Sequence, residues 1–403
     1  MSASLLETLL QPVSLRQFAA EYHGRRPLGV HGSLARLAAL RPLDVLASPQ
    51  SLLASWKDAV SCWLHAPDED GELVHEVSPA LAGRKLEEGH TLYFKQVERF
   101  VPQLAGFLRQ LELELGQAPG TCRIDAFASP AGQGAPMHFD PGDTYNVQLQ
   151  GTKRWQLAPN ESVAWPVRGY SVMQAASLEA SATRAHCHAE LPSTMPPDAV
   201  RFDDVRPGSL VYVPRGFWHE TTATEPSYAL AINVRPRCWA QLLSPRVEQA
   251  LLGSPALRAP AERAHGEPRA ALTARVEAHL AALRSVCAAL DASSIVDELL
   301  RPTRAWRRRP EAEVTVRATS PAARDLTVDV RTGEQTEFEL QVPALLAGAC
   351  RDILRCDGAF SIQLVLTRHP YVTEQDVENL LVALADAGAV AGADDEEVSR
   401  CLL

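Results

Sequence analysis

Between residues 91 and 235 the chain gives up helical spacing for short runs rich in β-branched and aromatic residues, divided by Gly, Pro or Asn. The runs are TLYFKQV (91–97), CRIDAFAS (122–129), TYNVQLQG (144–151), KRWQLAP (153–159), SLVYVPRG (209–216) and YALAINVR (228–235). Several short strands with turns between them read as a sandwich or barrel. Helical spacing is kept before these runs and once more between the first two of them. Residues 1 to about 60 hold SLLETLL and SLRQFAAEYH, where Leu15, Phe18 and Tyr22 share a face, and FVPQLAGFLRQLELELG (100–116) is amphipathic. Residues 160–205, with Pro192, Pro196 and Pro197, carry no strong pattern and read as a long insertion between strands, of the kind that lies over a binding site.

Beyond residue 244 the chain is helical again. Leu272, Val276, Leu280, Leu283 and Val286 form one stripe in 269–291, either a core face or a dimer surface. The Pro-, Gly- and Ala-rich stretch 253–268 before it looks like a linker. After Arg309 come strand-like segments (VTVRA, LTVDV, FELQV) and then helical ones (ALLAGACRDIL, EQDVENLLVALADAG), a mixture that suits a small winged-helix module. The expected fold is therefore α+β, with domains at 1–243, 244–309 and 310–403.

A chain of 403 residues suits two or three cores. No run reaches the roughly 18 apolar residues that a membrane helix needs, and the N-terminus has no basic patch before an apolar stretch. The eight cysteines are scattered, with no C-x-x-C pair, the pattern of reduced thiols in a cytoplasmic protein. A net charge of −10 argues against nucleic acid as the substrate and is compatible with a basic partner.

The chemistry-bearing segment is Pro136-Met137-His138-Phe139-Asp140. Two strand residues separated by one project from the same face, so His138 and Asp140 can reach one metal. His219, in GSLVYVPRGFWHETT, is the best third donor. Two His and one carboxylate leave open positions, the donor set of non-haem Fe(II) oxygenases, whereas structural zinc takes a closed set of four. Lys153 lies 15 residues after His138, on the next strand. A buried cation there is costly unless it meets an anion, such as the distal carboxylate of 2-oxoglutarate.

At these residues the chain resembles a known family. HFDPGDTYNVQLQGTKRWQLAP followed by PGSLVYVPRGFWHET is similar to the bacterial cupin-type jumonji (JmjC) oxygenases, most like the ribosomal oxygenases and more distantly like the asparaginyl hydroxylase of the hypoxia pathway. The resemblance is strong over about 85–240 and implies a double-stranded β-helix core with N-terminal helices, a helical dimerisation segment and a C-terminal winged helix. It implies Fe(II) held by His138, Asp140 and His219, with 2-oxoglutarate and O₂ as cosubstrates and Lys153 gripping the 2-oxoglutarate carboxylate. Tyr93 in TLYFKQ and Asn233 in LAINVRP match further cosubstrate positions. Ala135 departs from the pattern, because the asparaginyl hydroxylase has Thr there. Asp140 keeps the carboxylate that halogenase-like variants lack. The implied activity is hydroxylation of a protein side chain, with a ribosomal protein as the implied partner and a homodimer as the assembly.

Two other functions remain open on the residues alone: the same chemistry on a precursor peptide in natural-product biosynthesis, and a non-catalytic cupin that binds peptide or nucleic acid. Asp143, Tyr145 and Trp218 are candidate substrate contacts, with a turn residue and a core aromatic equally good readings of Asp143 and Tyr145, while Trp155 reads as core. Arg154 competes with Lys153, but strand alternation lets only one point inward. His186-Cys187-His188 reads as a solvated loop. Arg301, Arg304, Arg307, Arg308 and Arg309 read as a solvated linker rather than an RNA contact.

Overall fold

The computed structural model describes residues 4–37, 44–64, 74–101, 103–117, 120–175, 177–262, 267–293, 295–296, 305–309, 312–318, 326–332, 337–356, 360–362, 365, 369, 372 and 374–392. By contact the chain divides into two compact units, Met1–Pro236 with Arg304–Leu403, and Arg237–Thr303.

In the first unit thirteen described strands precede residue 235. In chain order they are β1 (Leu28–Val30), β2 (Val60–Trp63), β3 (His75–Val77), β4 (Thr91–Phe94), β5 (Cys122–Ser129), β6 (His138–Phe139) and β7 (Asp143–Gln150). Then follow β8 (Lys153–Ala158), β9 (Tyr170–Ser171), β10 (Val200–Val205), β11 (Leu210–Val213), β12 (Trp218–Ala223) and β13 (Ser227–Val234). They form an eight-stranded sheet in the order β1-β11-β7-β13-β5-β4-β2-β3 and a five-stranded sheet in the order β10-β8-β12-β6-β9. Every recorded pairing among them is antiparallel. This is the α+β, cupin-type architecture expected from the sequence.

The larger sheet is two-sided. On β5, Cys122, Ile124, Ala126 and Ala128 are buried with the helices outside, while Arg123, Asp125 and Phe127 face a cavity. The outer core joins Leu6, Leu9, Leu10 and Phe18 of the N-terminal segments to Ile124, Tyr145, Tyr212 and Leu230. Each such fully buried side chain contributes about 1.5–3 kcal/mol relative to exposure. The first helix, Leu5–Leu10, is tied to the helix Leu104–Glu114 by one carboxylate. Glu114 accepts from Ser4 Oγ (2.8 Å) and from the Leu5 and Leu6 amides (2.9 and 2.7 Å), satisfying two donors that a helix start leaves free.

The smaller sheet backs onto separate apolar clusters, one of Met137, Phe139, Ala158, Val163 and Trp218, the other around Trp155, Leu157, Val211 and Val213. The segment 160–205, expected to be irregular, contains a helix at Leu178–Arg184 and the strand β10. Most of β10 is exposed because it is an edge strand paired only with β8. Only Phe202 and Val205 pack against the apolar cluster, three residues apart across a register shift, so it carries no regular apolar alternation, which is why the sequence pattern missed it. Within 1–60 the helical expectation holds for Leu5–Leu10, for Leu15–Gln17 running into Phe18–Tyr22, and for Pro49–Ser55, but β1 extends the larger sheet at its edge.

After residue 304 the strand-then-helix order expected from the sequence is present. Ala312–Ala318, Leu326–Thr332 and Glu337–Val342 form an antiparallel meander, and Ala347–Arg355 and Glu374–Asp386 are helices. They share a core that includes Val328, Val330, Ile353 and Leu381. Arg307 and Arg308 lie on a strand here, whereas Arg301 and Arg304 lie outside the described residues. The second unit contains the helices Trp239–Leu252, Pro255–Arg258 and Arg269–Ala288. On the last, Val276 and Leu280 are exposed. The described cysteines are all unpaired, as expected; Cys401 lies outside the described residues. No helix among the described residues is long and apolar enough to cross a membrane.

Candidate functional site

The two sheets enclose a cavity of about 500 Å³, and strand alternation decides which side chains enter it. From the larger sheet come Tyr93, Arg123, Asp125, Phe127, Thr144, Asn146 and Asn233; from the smaller, His138, Lys153, Trp155, His219 and Thr221. Asp140, in the turn after β6, completes the set.

His138 and His219 are register partners across the β6–β12 ladder. The loop before β6 is strapped to β12, since Thr221 N donates to Ala135 O (2.9 Å) and Ala135 N donates to Thr221 Oγ1 (2.9 Å). Gly134 permits this approach, because a Cβ there would stand 2.1 Å from Thr221 O. The outcome is a compact donor set. Asp140 Oδ2 lies 3.8 Å from His138 Nε2 and 3.7 Å from His219 Nε2, and the candidate ligand atoms of all three residues fall within 4.8 Å of one another.

Both imidazoles are oriented by the backbone. His138 Nδ1 lies 2.7 Å from Pro136 O, and His219 Nδ1 lies 2.9 Å from Phe217 O. A carbonyl only accepts, so each Nδ1 carries the proton and each Nε2 keeps its lone pair for a shared cation. Burial, then His138, pushes the His219 imidazole below its ordinary range, which also favours the neutral ligand form. Burial works to raise Asp140, but His138 and His219 outweigh it and keep the carboxylate ionised. Two imidazoles on the paired strands β6 and β12 and one carboxylate in the turn after β6 leave part of a metal's sphere open, the arrangement that suits non-haem iron.

Lys153 enters at the other end of the cavity. Its side chain is 4% exposed, and its Nζ lies 5.9 Å from the centre of the Phe127 ring. No hydrogen bond or ion pair to it is recorded among the described residues, and burial lowers its ammonium to about 8. A buried cation lacking a protein anion is costly on its own and is matched by a ligand that brings a carboxylate. Arg154 points out and is exposed, as alternation requires.

Tyr93 and Asn233 also face the cavity, joined by a carboxylate that sequence reasoning passed over. Asp125 accepts from Tyr93 Oη (2.8 Å), Asn233 Nδ2 (2.9 Å) and the Gln96 amide (2.8 Å). The alternation of CRIDAFAS itself, with Arg123, Asp125 and Phe127 on one face, was the signal available for it. Tyr93 also stacks on Phe127 with ring centres 4.6 Å apart.

Three expected substrate contacts are placed elsewhere. Asp143 accepts from Tyr212 Oη (2.8 Å) and the Arg215 amide (3.0 Å), away from the cavity. Tyr145 is 1% exposed in the outer core against Phe18 and Tyr212. On β7 the inward positions are Thr144 and Asn146 instead. Trp218 is 1% exposed in the cluster behind the smaller sheet. Trp155, read as core, is buried in an apolar cluster and also lines the cavity, lying parallel to His219 at 6.1 Å. The His186-Cys187-His188 run does not join a metal-competent cluster among the described residues.

Comparison with known proteins adds the following. Residues 99–242 match the model of the JmjC domain. The Bacillus subtilis protein YxbC is 28% identical over 256 residues, 62% of this chain and 77% of that one. Rat ribosomal oxygenase 2 is 28% identical over 232 residues, 54% of this chain and 44% of the relative. The chain thus spans about three quarters of the bacterial relative and under half of the mammalian one. The structure of the Escherichia coli ribosomal oxygenase YcfD in complex with cobalt and 2-oxoglutarate is 16% identical, covering 95% of this chain and 99% of that one with a TM-score of 0.47.

Proposed function

We propose that this chain, a JmjC/cupin protein similar to the ribosomal oxygenases, is an Fe(II)- and 2-oxoglutarate-dependent oxygenase that hydroxylates a protein or peptide side chain. The observation that carries the reading is the pairing of a two-histidine, one-carboxylate cluster with an unmatched buried lysine in one cavity. Neither feature is stable alone: the cluster needs a cation and Lys153 needs an anion, and the two groups of this chemistry supply both.

His138, Asp140 and His219 hold Fe(II), and Lys153 takes the distal carboxylate of 2-oxoglutarate. Bound together with O₂, these groups supply the oxidant for C–H hydroxylation, with succinate and CO₂ as co-products. The chain's own residues position and exclude. Pro136 O and Phe217 O hold the two Nε2 lone pairs toward one point. Asp125 fixes Tyr93 and Asn233 in the cavity wall, and Tyr93, Phe127 and Trp155 give that wall its apolar part. Such a wall keeps competing reductants and water from the reacting centre.

A ribosomal protein is the substrate to which the rat relative's name points. The Arg269–Ala288 helix supports a homodimer, because it turns Val276 and Leu280 outward. The region after residue 310 supports a winged-helix reading through its meander and following helices. The substrate is tested by incubating the anaerobically loaded chain with ribosomal proteins, admitting air and mapping 16-Da additions by mass spectrometry. A single modified site that is absent with His138→Ala supports a ribosomal target. Peptide-independent 2-oxoglutarate turnover with no modified ribosomal protein moves the substrate to a dedicated precursor peptide.

A further inference from the structure

On the larger sheet, Arg123 and Asn233 are register partners, and Arg235 follows Asn233 on the same face of its chain. Both guanidinium groups line the cavity that holds the histidine–carboxylate cluster. The approach of Arg235 is built into the fold. A Cβ on Gly142, just after the metal-site turn, would meet Val234 O at 2.5 Å and Arg235 Cγ at 2.9 Å. Only glycine lets the arginine cross there.

The anions that face this pair do not match it. Asp140 belongs to the metal site. Asp125 is already occupied by Tyr93, Asn233 and the Gln96 amide, and Arg123 Nε approaches it only at 3.4 Å, leaving that N–H without a hydrogen bond. Glu98 lies close enough to act on Arg123, but it accepts from the Ile124 amide and burial raises its carboxyl to about 7, which weakens it as a counter-charge. Glu76 is held by Lys95 (3.0 Å) and Ser61 (2.5 Å). No hydrogen bond or ion pair of the Arg235 guanidinium is recorded among the described residues, and burial followed by the nearby Arg123 lowers its affinity for protons. One guanidinium is therefore in excess at this end of the cavity.

Strand geometry separates this end from Lys153. Lys153 Nζ lies over Phe127, whereas Arg123 is four residues away on the same strand and face. At ~3.3 Å per residue that is roughly 13 Å. The distal carboxylate of 2-oxoglutarate taken by Lys153 stays at the Phe127 end, which leaves the arginine pair to the proximal carboxylate or to the substrate. With 2-oxoglutarate already bound, only a guanidinium left over for the substrate gives an acidic preference.

We propose that Arg123 and Arg235 form a carboxylate clamp, and that the side chain presented to the metal centre, or the one beside it, is an aspartate or glutamate of a peptide. The inference rests on the oxygenase reading for its setting and narrows its substrate class. Planar guanidinium groups bind carboxylates by paired hydrogen bonds, and two of them on neighbouring strands repel an arginine or lysine presented at the same place.

An array of nonamer pools, each with random flanks and one fixed central residue, tests the clamp. It is probed under nitrogen with the full chain loaded with Fe(II) and 2-oxoglutarate. The clamp requires at least roughly tenfold stronger binding to pools centred on Asp or Glu than to those centred on Asn, Gln, Arg or Lys, as for a charge-assisted contact. Arg235→Gln should remove most of that ratio, Arg235→Lys should restore part of it, and Arg235→Glu should turn the preference toward Arg and Lys. Equal binding of all pools, a basic preference in the wild type, or an acidic preference unchanged in both Arg123→Gln and Arg235→Gln would each overturn the clamp. Peptide-independent 2-oxoglutarate consumption is followed separately. Its absence counts against the oxygenase reading, while the array ratio still decides the clamp.

Discussion

Lys153 shows how one residue couples stability, pH and ligand binding. Burial lowers its ammonium from 10.5 to about 8, so between those values the unfolded chain holds a proton that the ligand-free folded chain has released. Stability of the ligand-free chain therefore rises as pH goes from about 8 to about 10.5, and below 8 the penalty is full, at about 3 kcal/mol for a shift of that size. Lys153→Met should raise ligand-free stability by about 1–3 kcal/mol at pH 7, flatten its rise above pH 8, and weaken 2-oxoglutarate binding more than about tenfold. Urea titrations at pH 7 and 9.5 and calorimetric binding measure all three. The wild type's affinity for 2-oxoglutarate should also fall above pH 8, because binding then requires the lysine to take up a proton. At this scale the H-x-D pair, His219 and Lys153 were legible because spacing on strands fixes their direction. Asp143 and Tyr145 each allowed two readings, and the structure takes the core one for Tyr145; Trp218 was misplaced, although alternation puts Thr144, Asn146 and Trp155 on the cavity side.

The element that delivers Lys153 is the β7–β8 turn, and its limits are steric. Gly151 sits at φ +64°, and a Cβ there would stand 2.0 Å from Pro226 O. Both conditions exclude other residues, so Gly151→Ala should destabilise the fold by more than about 2 kcal/mol and lower 2-oxoglutarate affinity, while the His138–His219 pairing forms on different strands. Thermal unfolding beside calorimetry separates the two effects. The central strands were readable from sequence because each has one buried face, and alternation records it. The edge strand β10 was not, because exposure on most of its length leaves no such record.

For the molecule as a whole, two sheets make one cavity and the cavity combines a cation site with an anion site. That combination was inferable from about 100 residues of sequence, whereas Arg123, Asp125 and Arg235 became visible only when β5 and β13 were set side by side. The helix Arg269–Ala288 carries an expectation of its own. If Val276 and Leu280 form a dimer face, the chain of 43.8 kDa should sediment as a dimer, and Val276→Glu with Leu280→Glu should give monomers. A wild type that is monomeric at micromolar concentration would leave that stripe without a partner of its own kind. The central claim concerns the cavity, and it is tested most directly by 2-oxoglutarate turnover. The chain is purified anaerobically, supplied with Fe(II), 2-oxoglutarate and then air, and succinate is measured beside His138→Ala and Lys153→Met. The account requires succinate from the wild type, none above background from His138→Ala, and a higher KM for 2-oxoglutarate with Lys153→Met. Folded wild-type chain that binds no Fe(II) and forms no succinate, with or without peptide, would contradict it.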